Sequence, residues 1–545
     1  MRASAGSSRS RAALRPPVSR NVFRVSPVAL FRQRHSRGAA LAALCAILFL
    51  TFLDNTIVSV ALADIQTSLS ASVSDLQWIV DGYMLTFAAL MLTGGTLGDL
   101  FGRKKVMLAG VVIFCAGSVV AAVAPTSGIL IVGRLVMGVG AAASEPGTLS
   151  LIRHIYPERA ERARALGVWA AVSGLALALG PVIGGVLSDG PGWRSIFWFG
   201  FGFGALSLGV AAVTLTESKD PEGRKLDVPG LVTGACAITA ATFAVIGGEN
   251  RGYRTWWIDG LFVLSAVLVV AFVVIERRSP DPVVRLEFFH NPTFTAANVV
   301  AFATNLSVFS VFFFTALYLQ LISNFTGNQI ALVFTSLSVA MIVAGLAAGR
   351  WTARVGPKVP MVVGCGLAGL GLLLVDRQLT ATTSISSLAW PLAIAGVGFG
   401  IALVTMTASV LAIVPPEQSG MAASTVNTSR ELGGVFGVAV LGAVVNTQLT
   451  SGLDGKLAKL HIPLVYRKVV IEFVTTGGNV TSVENSPGVK GHTRLIARVL
   501  VAAEDSAGHG VHLALQIAAG IVLAAGVVAA FAARHRVGQV DEVEV

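Results

Sequence analysis

Gly95-Thr-Leu-Gly98-Asp99-Leu-Phe-Gly102-Arg103-Lys104-Lys105 joins two long apolar runs, and a weaker echo, Gly349-Arg-Trp-Thr-Ala-Arg354-Val-Gly356-Pro-Lys358, joins two others much later in the chain. The flanking runs are long enough to cross a bilayer as helices, which takes ~20 residues. A basic, glycine-punctuated hairpin that recurs between apolar runs points to a duplicated unit, as in many transporter folds. Working outward, fourteen such runs can be placed near residues 39–63, 77–98, 106–124, 127–152, 165–188, 193–216, 228–248, 257–275, 294–322, 329–349, 359–376, 387–414, 419–446 and 511–533. If the runs at 294 and 329 open a second six-helix unit, each unit carries the hairpin between its second and third helix. The runs at 228 and 257 are then an inserted pair.

The expected architecture is an all-α polytopic membrane protein of two six-helix bundles plus two inserted helices. Its segments are a basic tail over 1–38, a first bundle over 39–216, an inserted pair over 217–293, and five helices of the second bundle over 294–446. A long external loop over 447–510, a last helix over 511–533 and a tail over 534–545 complete the chain. Composition agrees: 54% of the 545 residues are hydrophobic and 13% charged, about half the ~25% charge of a soluble domain. The net charge of +11 matters less than its placement. One set of short loops carries Arg103, Lys104, Lys105, Arg153, Arg159, Arg162, Arg164, Lys219, Arg224, Lys225, Arg277, Arg278, Arg350, Arg354 and Lys358, while the opposite set carries Arg194, Arg251, Arg254 and Arg377. By the positive-inside rule the first set is cytoplasmic, and an even span number puts both termini there too.

The first 38 residues hold nine arginines and no acid. They read either as a cytoplasmic tail near anionic lipid or as an organellar transit peptide. Within the loop at 447–510, residues 464–474 suggest a strand or an interfacial element, and 479–490 a turn. The four cysteines lie in apolar runs and imply no disulfide framework.

Ionised groups inside spans cost ~2.5 to 3.5 kcal/mol each at the helix centre, so Asp54, Arg134, Glu145, Arg430 and Glu431 require partners or a function. Asp54 lies ~14 Å and Arg134 ~11 Å below the outer ends of their helices, at 1.5 Å per residue. At matched depth the two are expected to pair, either as a static ion pair or as a proton site whose affinity depends on how near the arginine is. Arg430 lies ~17 Å from the inner end of its helix. Glu431 follows on an adjoining face, so the two are expected to point apart, with one of them lining a central cavity or packing between helices. Glu145, beside the helix-breaking Pro146, is a further cavity candidate. Asp81 reads as an interfacial acid or a cavity group. In the hairpin, Asp99 suits a helix N-terminus, which favours an acid. The run Gly174 to Gly185, with Gly180, Pro181, Gly184 and Gly185, permits tight helix crossing and a bend.

No Gly-x-x-x-x-Gly-Lys-Ser/Thr phosphate loop occurs, and no nucleophile and base pair suggests an enzyme. His509 and His512 beside Glu504 and Asp505 give only a faint metal signal, so neither a metal nor another cofactor is expected.

Several of these residues together resemble the major facilitator superfamily, in its fourteen-span drug:proton antiporter branch. They are Leu53-Asp54-Asn-Thr56-Ile-Val, the Gly95 to Lys105 hairpin, Arg134 with Gly138 and Gly140, Gly174 to Gly185, and Asn427-Thr-Ser-Arg430-Glu431-Leu-Gly433-Gly434. The resemblance implies the major facilitator fold, alternating access, and a protein that acts as a monomer and exchanges protons for amphipathic or cationic drugs across the cytoplasmic membrane. A single metabolite or lipid as cargo on the same scaffold is the alternative, and a non-transporting receptor a more distant one. Nucleic acid is not an expected partner. On this reading the buried charges Asp54, Arg134 and Glu431 are the proton-coupling candidates and Glu145, Arg430 and Asp81 the substrate-cavity candidates, while the resemblance implies a latch between the halves at Gly95, Asp99, Gly102 and Arg103. Gly174, Gly180, Pro181, Gly184 and Gly185 fall on the antiporter motif. Met137 and Glu431 each stand where glutamine is usual, and Gly200 and Gly202 where Asn-x-Pro is.

Overall fold

The computed structural model describes residues 27–533 except 72, 219–226, 252–254, 324, 326, 381, 416–417, 461, 464–465, 468–469 and 472–492. Thirteen of its helices are long and apolar enough to cross a membrane, and a bent pair, Ala160–Leu177 with Val182–Ser188, makes a fourteenth. In chain order the span helices are Pro27–Ile57, Val73–Phe101, Arg103–Ala122, Ser127–Ile155, Arg159–Asp189 and Arg194–Thr214. The inserted pair is Val228–Arg251 and Trp256–Arg278. The second set is Pro292–Leu321, Gly327–Val355, Lys358–Gln378, Ile385–Ile413, Ser419–Lys459 and Thr493–Ala532. They are called the first to fourteenth spans below.

Local chemistry sets several of the helix starts. The Thr126 hydroxyl accepts from the Ile129 N–H to open the fourth span, and Asn291 accepts from Thr293 N–H with Pro292 in the first turn of the ninth. Ser384 and Ser387 form a reciprocal capping box on the twelfth. Each cap satisfies donors that a helix N-terminus leaves unpaired.

The duplication is visible in the backbone. Gly102 and Gly356 sit at the same place in the two hairpins, and both adopt positive φ, +113° and +88°, where a side chain is disfavoured. The third and fourth spans cross through Gly110 and Gly140, and the eleventh and twelfth through Gly364 and Gly398. A Cβ on Gly140 would lie 2.6 Å from Gly110 O, and one on Gly398 2.6 Å from Gly364 O. The same backbone-to-backbone crossing thus holds each half together.

The halves meet at the hairpin end, here named the latch face. There the fifth span crosses the tenth, where a Cβ on Gly167 would lie 2.9 Å from Gly345 O, and Arg153 donates across to Pro415 O at 3.5 Å. Of the inserted pair, the seventh span packs on the second and thirteenth, while the eighth leaves Val263, Val267 and Val270 more than half exposed, as a lipid-facing helix should.

Helix ends differ from the sequence reading in three places. The first span begins at Pro27, inside the stretch read as tail. The thirteenth continues to Lys459 and the fourteenth starts at Thr493, so both run into the stretch read as an external loop. At 1.5 Å per residue the 41-residue thirteenth helix is ~60 Å long, well beyond the membrane. The protruding parts form a stalk sealed by Leu453, Leu457, Ala502 and Ala503 and tied by ion pairs Lys456 to Asp505 and Arg467 to Asp454. Polar residues on its outer face made the stalk read as a loop. Tyr466, Arg467, Val470 and Ile471 are helical rather than strand, and 479–490 falls outside the described residues.

Candidate functional site: a buried charge network between the bundles

The first span carries Asp54 and the fourth carries Arg134, and they form an ion pair inside the first bundle with the two residues 6% and 1% exposed. Arg134 is held on two further sides: its Nε donates to Ile79 O at 2.7 Å, and its guanidinium lies 4.5 Å from the Tyr83 ring centre. The Tyr83 hydroxyl in turn donates to Thr51 O at 3.0 Å, which ties the second span to the first one turn from Asp54. The pairing expected from matched depth is therefore present, together with Tyr83 and Ile79, which the sequence did not single out.

A second cluster lies where the bundles face each other. Arg430 Nη2 is 3.8 Å from Glu145 Oε1 on the fourth span and 3.8 Å from Glu431 Oε1. The guanidinium sits 4.9 Å from the Phe52 ring centre and 5.3 Å from that of Trp169. Here the expectation that Arg430 and Glu431 point apart fails. Their Cα vectors diverge, but a long flexible arginine reaches back to its neighbour's carboxylate, and both residues are buried. Glu145 joins them and is fully buried. Trp169 donates through Nε1 to the Thr148 hydroxyl at 3.1 Å, and that hydroxyl donates to Glu145 O at 2.6 Å. Next to the cluster is a cavity of about 20 Å³, lined by Phe52, Ser173, Thr304, Asn305, Phe399 and Arg430 among others, room for about one water.

Pro146 lacks an N–H, which leaves Ala142 O without its helical donor. That oxygen faces Gly94, where a Cβ would lie 2.1 Å away, so the second span closes over the gap. Asp81 is half-buried on the second span, between Ile79 and Tyr83, the two residues of that span that hold Arg134, and it does not line the small cavity.

The hairpin forms a third site. Asp99 and Arg103 are ion paired at 2.8 Å and nearly buried. The other Asp99 oxygen accepts from Met421 N–H at 2.9 Å, the third residue of the thirteenth span. An acid in the first bundle thus caps a helix of the second, whose N-terminal partial charge favours it. Two residues unremarked in the sequence complete the hairpin. Glu217 accepts from the N–H groups of Lys104 and Lys105 at 3.0 and 3.2 Å, and Ser218 pairs through its hydroxyl with Arg103 at 3.1 Å. Gly95 itself is buried in the second span.

On the glycine-rich fifth span, a Cβ on Gly180 would lie 1.9 Å from the Thr56 hydroxyl, and that hydroxyl donates to Leu177 O at 3.1 Å. Gly174 faces Met341 of the second bundle, and Gly185 faces open space. Pro181 lies in the break at the 40° bend, and the buried Gly184 follows it on Val182–Ser188. His509 and His512 do not converge: His512 Nδ1 pairs with Asp376 at 2.6 Å. No group of three or more potential metal ligands occurs among the described residues.

The family model of the Major Facilitator Superfamily matches residues 44–438. The chain belongs to the major facilitator superfamily. Among curated relatives, the multidrug resistance protein Stp of Mycobacterium tuberculosis is 31% identical over 474 residues, covering 86% of this chain and 87% of that protein. The methylenomycin A resistance protein of Streptomyces coelicolor is 33% identical, covering 79% and 90%. The tetracenomycin C resistance and export protein of Streptomyces glaucescens is 30% identical, covering 88% of each. A crystal structure of the human organic anion transporter MFSD10 superposes with a TM-score of 0.56 at 14% identity, covering 91% of this chain and 99% of that one; at that identity the likeness concerns the fold. The protein is thus a multi-pass transporter of the superfamily, with relatives named for drug resistance and efflux.

Proposed function

We propose that this protein is a proton-coupled antiporter of the cytoplasmic membrane that exports amphipathic or cationic compounds as a monomer by alternating access, with the latch face and both termini in the cytoplasm. The observation that carries the reading is the pairing of Asp54 with Arg134 in the interior of the first bundle. A buried carboxylate with one arginine partner changes its proton affinity whenever that partner moves. Glu145, Arg430 and Glu431 place a further charge set where the bundles separate, so cargo and proton affinities both respond to the same rocking motion. The loop bias toward Lys and Arg on the latch face supports the orientation.

The energy is sufficient. One charge moving down 100 mV releases ~2.3 kcal/mol, and each ~1.4 kcal/mol sustains a tenfold gradient, so one proton supports roughly 40-fold exclusion. The test is accumulation of a fluorescent cationic dye in expressing cells, with and without a protonophore, in wild type and Asp54→Asn. Wild type is expected to lower dye content until the protonophore is added, and Asp54→Asn to lose export at undiminished protein level. Dye export that survives the protonophore, or an Asp54→Asn protein lost from the membrane, would overturn the coupling role.

A further inference from the structure

Arg134 and Arg430 are both buried arginines, but they are held very differently. Arg134 has an ion pair, a backbone acceptor and an aromatic face, all within its own bundle. Among the described residues, Arg430 has a single hydrogen bond, from Nη1 to Asn427 Oδ1 at 3.1 Å. Its Nε, both Glu145 carboxylate oxygens and Glu431 Oε1 are buried without a hydrogen-bond partner among the described residues. A guanidinium offers five donors in a fixed plane, and buried polar groups are normally satisfied, so Arg430 fills this space loosely.

The space itself is well built. Phe52, Trp169 and Glu145 belong to the first bundle, and Trp169 is oriented through the Thr148 hydroxyl to the backbone of Glu145. Aromatic faces within ~6 Å of a cation, with a carboxylate at the edge, form a recognised seat for guanidinium and related organic cations. Arg430 enters from the second bundle's side of the interface, on the thirteenth span it shares with Glu431, and the small cavity reaches both Arg430 and Phe52.

We propose that the Arg430 side chain is a tethered stand-in for cargo, occupying a seat formed by Phe52, Trp169 and Glu145 that a planar monovalent organic cation takes when the bundles part. The inference rests on the export reading for its cargo class and names the residues that bind it. Because Arg430 competes with cargo, its removal strengthens cation binding, whereas removal of a structural tie or of an anion contact weakens it.

The test uses the purified full-length protein at pH 7 and constant ionic strength. Methylguanidinium is titrated into wild type, Arg430→Ala and Arg430→Ala/Glu145→Gln while thermal midpoint and tryptophan fluorescence are followed, with urea as the neutral planar control; ethidium affinity is measured in parallel. Arg430→Ala is expected to show a saturable rise in midpoint and a fluorescence change with methylguanidinium but not with urea. Wild type and the double variant are expected not to respond, and ethidium is expected to bind Arg430→Ala about tenfold more tightly than wild type. No saturable response in Arg430→Ala, or weaker ethidium binding than wild type, overturns the proposal. If Arg430→Ala does not accumulate, Arg430→Lys and Phe52→Leu carry the test: tighter ethidium binding in the first and weaker in the second supports the seat, and the reverse order overturns it. These are equilibrium measurements without a gradient. Methylguanidinium binding to Arg430→Ala in a protein that exports no dye would support the seat while removing the antiport reading.

Discussion

Met421→Pro isolates the contact that joins the halves at the latch face. The Met421 N–H lies in the first turn of the thirteenth span, where a helix has no internal acceptor for it, and it donates instead to Asp99 Oδ2 at 2.9 Å. Proline removes that donor without breaking a helical hydrogen bond and leaves the Asp99 to Arg103 pair in place. A hydrogen bond to a charged group contributes about 1.5 to 3 kcal/mol net. At ~1.4 kcal/mol per factor of ten, its loss shifts the ratio of closed to open latch face about tenfold or more toward open. Met421→Leu keeps the N–H and serves as control for the thioether, whose sulfur accepts from Arg285 N–H at 3.3 Å. Spin labels on His154→Cys and Arg354→Cys, at exposed latch-face ends of the fourth and tenth spans, in a background with the exposed Cys236 replaced by serine, report the separation. The longer-distance population is expected to grow with Met421→Pro and Asp99→Ala and to stay put with Met421→Leu. In the double variant the two changes should not add, because each removes the same bond. A distance distribution unchanged by Met421→Pro, or additive effects in the double variant, would refute the latch argument.

Gly398→Ala should lower the thermal midpoint in detergent markedly, because its Cβ would lie 2.1 Å from Ala368 N in the backbone of the neighbouring helix, while Gly366→Ala, with nothing within 4 Å, should match or exceed wild type by the ~1 kcal/mol helix preference of alanine. Gly180→Ala forces the Thr56 side chain aside and should cost about 1 to 3 kcal/mol of stability as an overpacked contact; Thr56→Ala in the same chain should restore part of it, which thermal unfolding of the three proteins measures. Glu217→Ala removes the carboxylate that caps the third span and should cost about 0.5 to 2 kcal/mol, read as a lower midpoint and faster proteolysis at the hairpin.

The span count and the two-bundle plan were readable because each apolar run must satisfy its own backbone as a helix, and because Gly102 and Gly356 mark the same turn twice. Asp54 with Arg134 was readable from their matched depth below the outer ends of the first and fourth spans. Asp99 was readable as a helix cap, but not which helix it caps, because that partner lies in the other half of the chain. Glu217, Ser218 and Trp169 were silent for the same reason: their roles exist only across a tertiary contact, and nothing in their neighbours marks them out. The Arg430 and Glu431 cluster was misread because helical phase fixes where Cα–Cβ bonds point, not where a long side chain ends. The stalk was missed because an amphipathic helix pair outside the membrane carries as many polar residues as a loop.

That stalk gives the second half a rigid handle. Its two helices are continuous with the thirteenth and fourteenth spans and are clamped together by an apolar seam and an ion pair, so they tilt as one piece with the bundle beneath. An antibody fragment raised against the paired helices would ride with that bundle, and its angle to the membrane normal would read out the rocking motion of single particles directly.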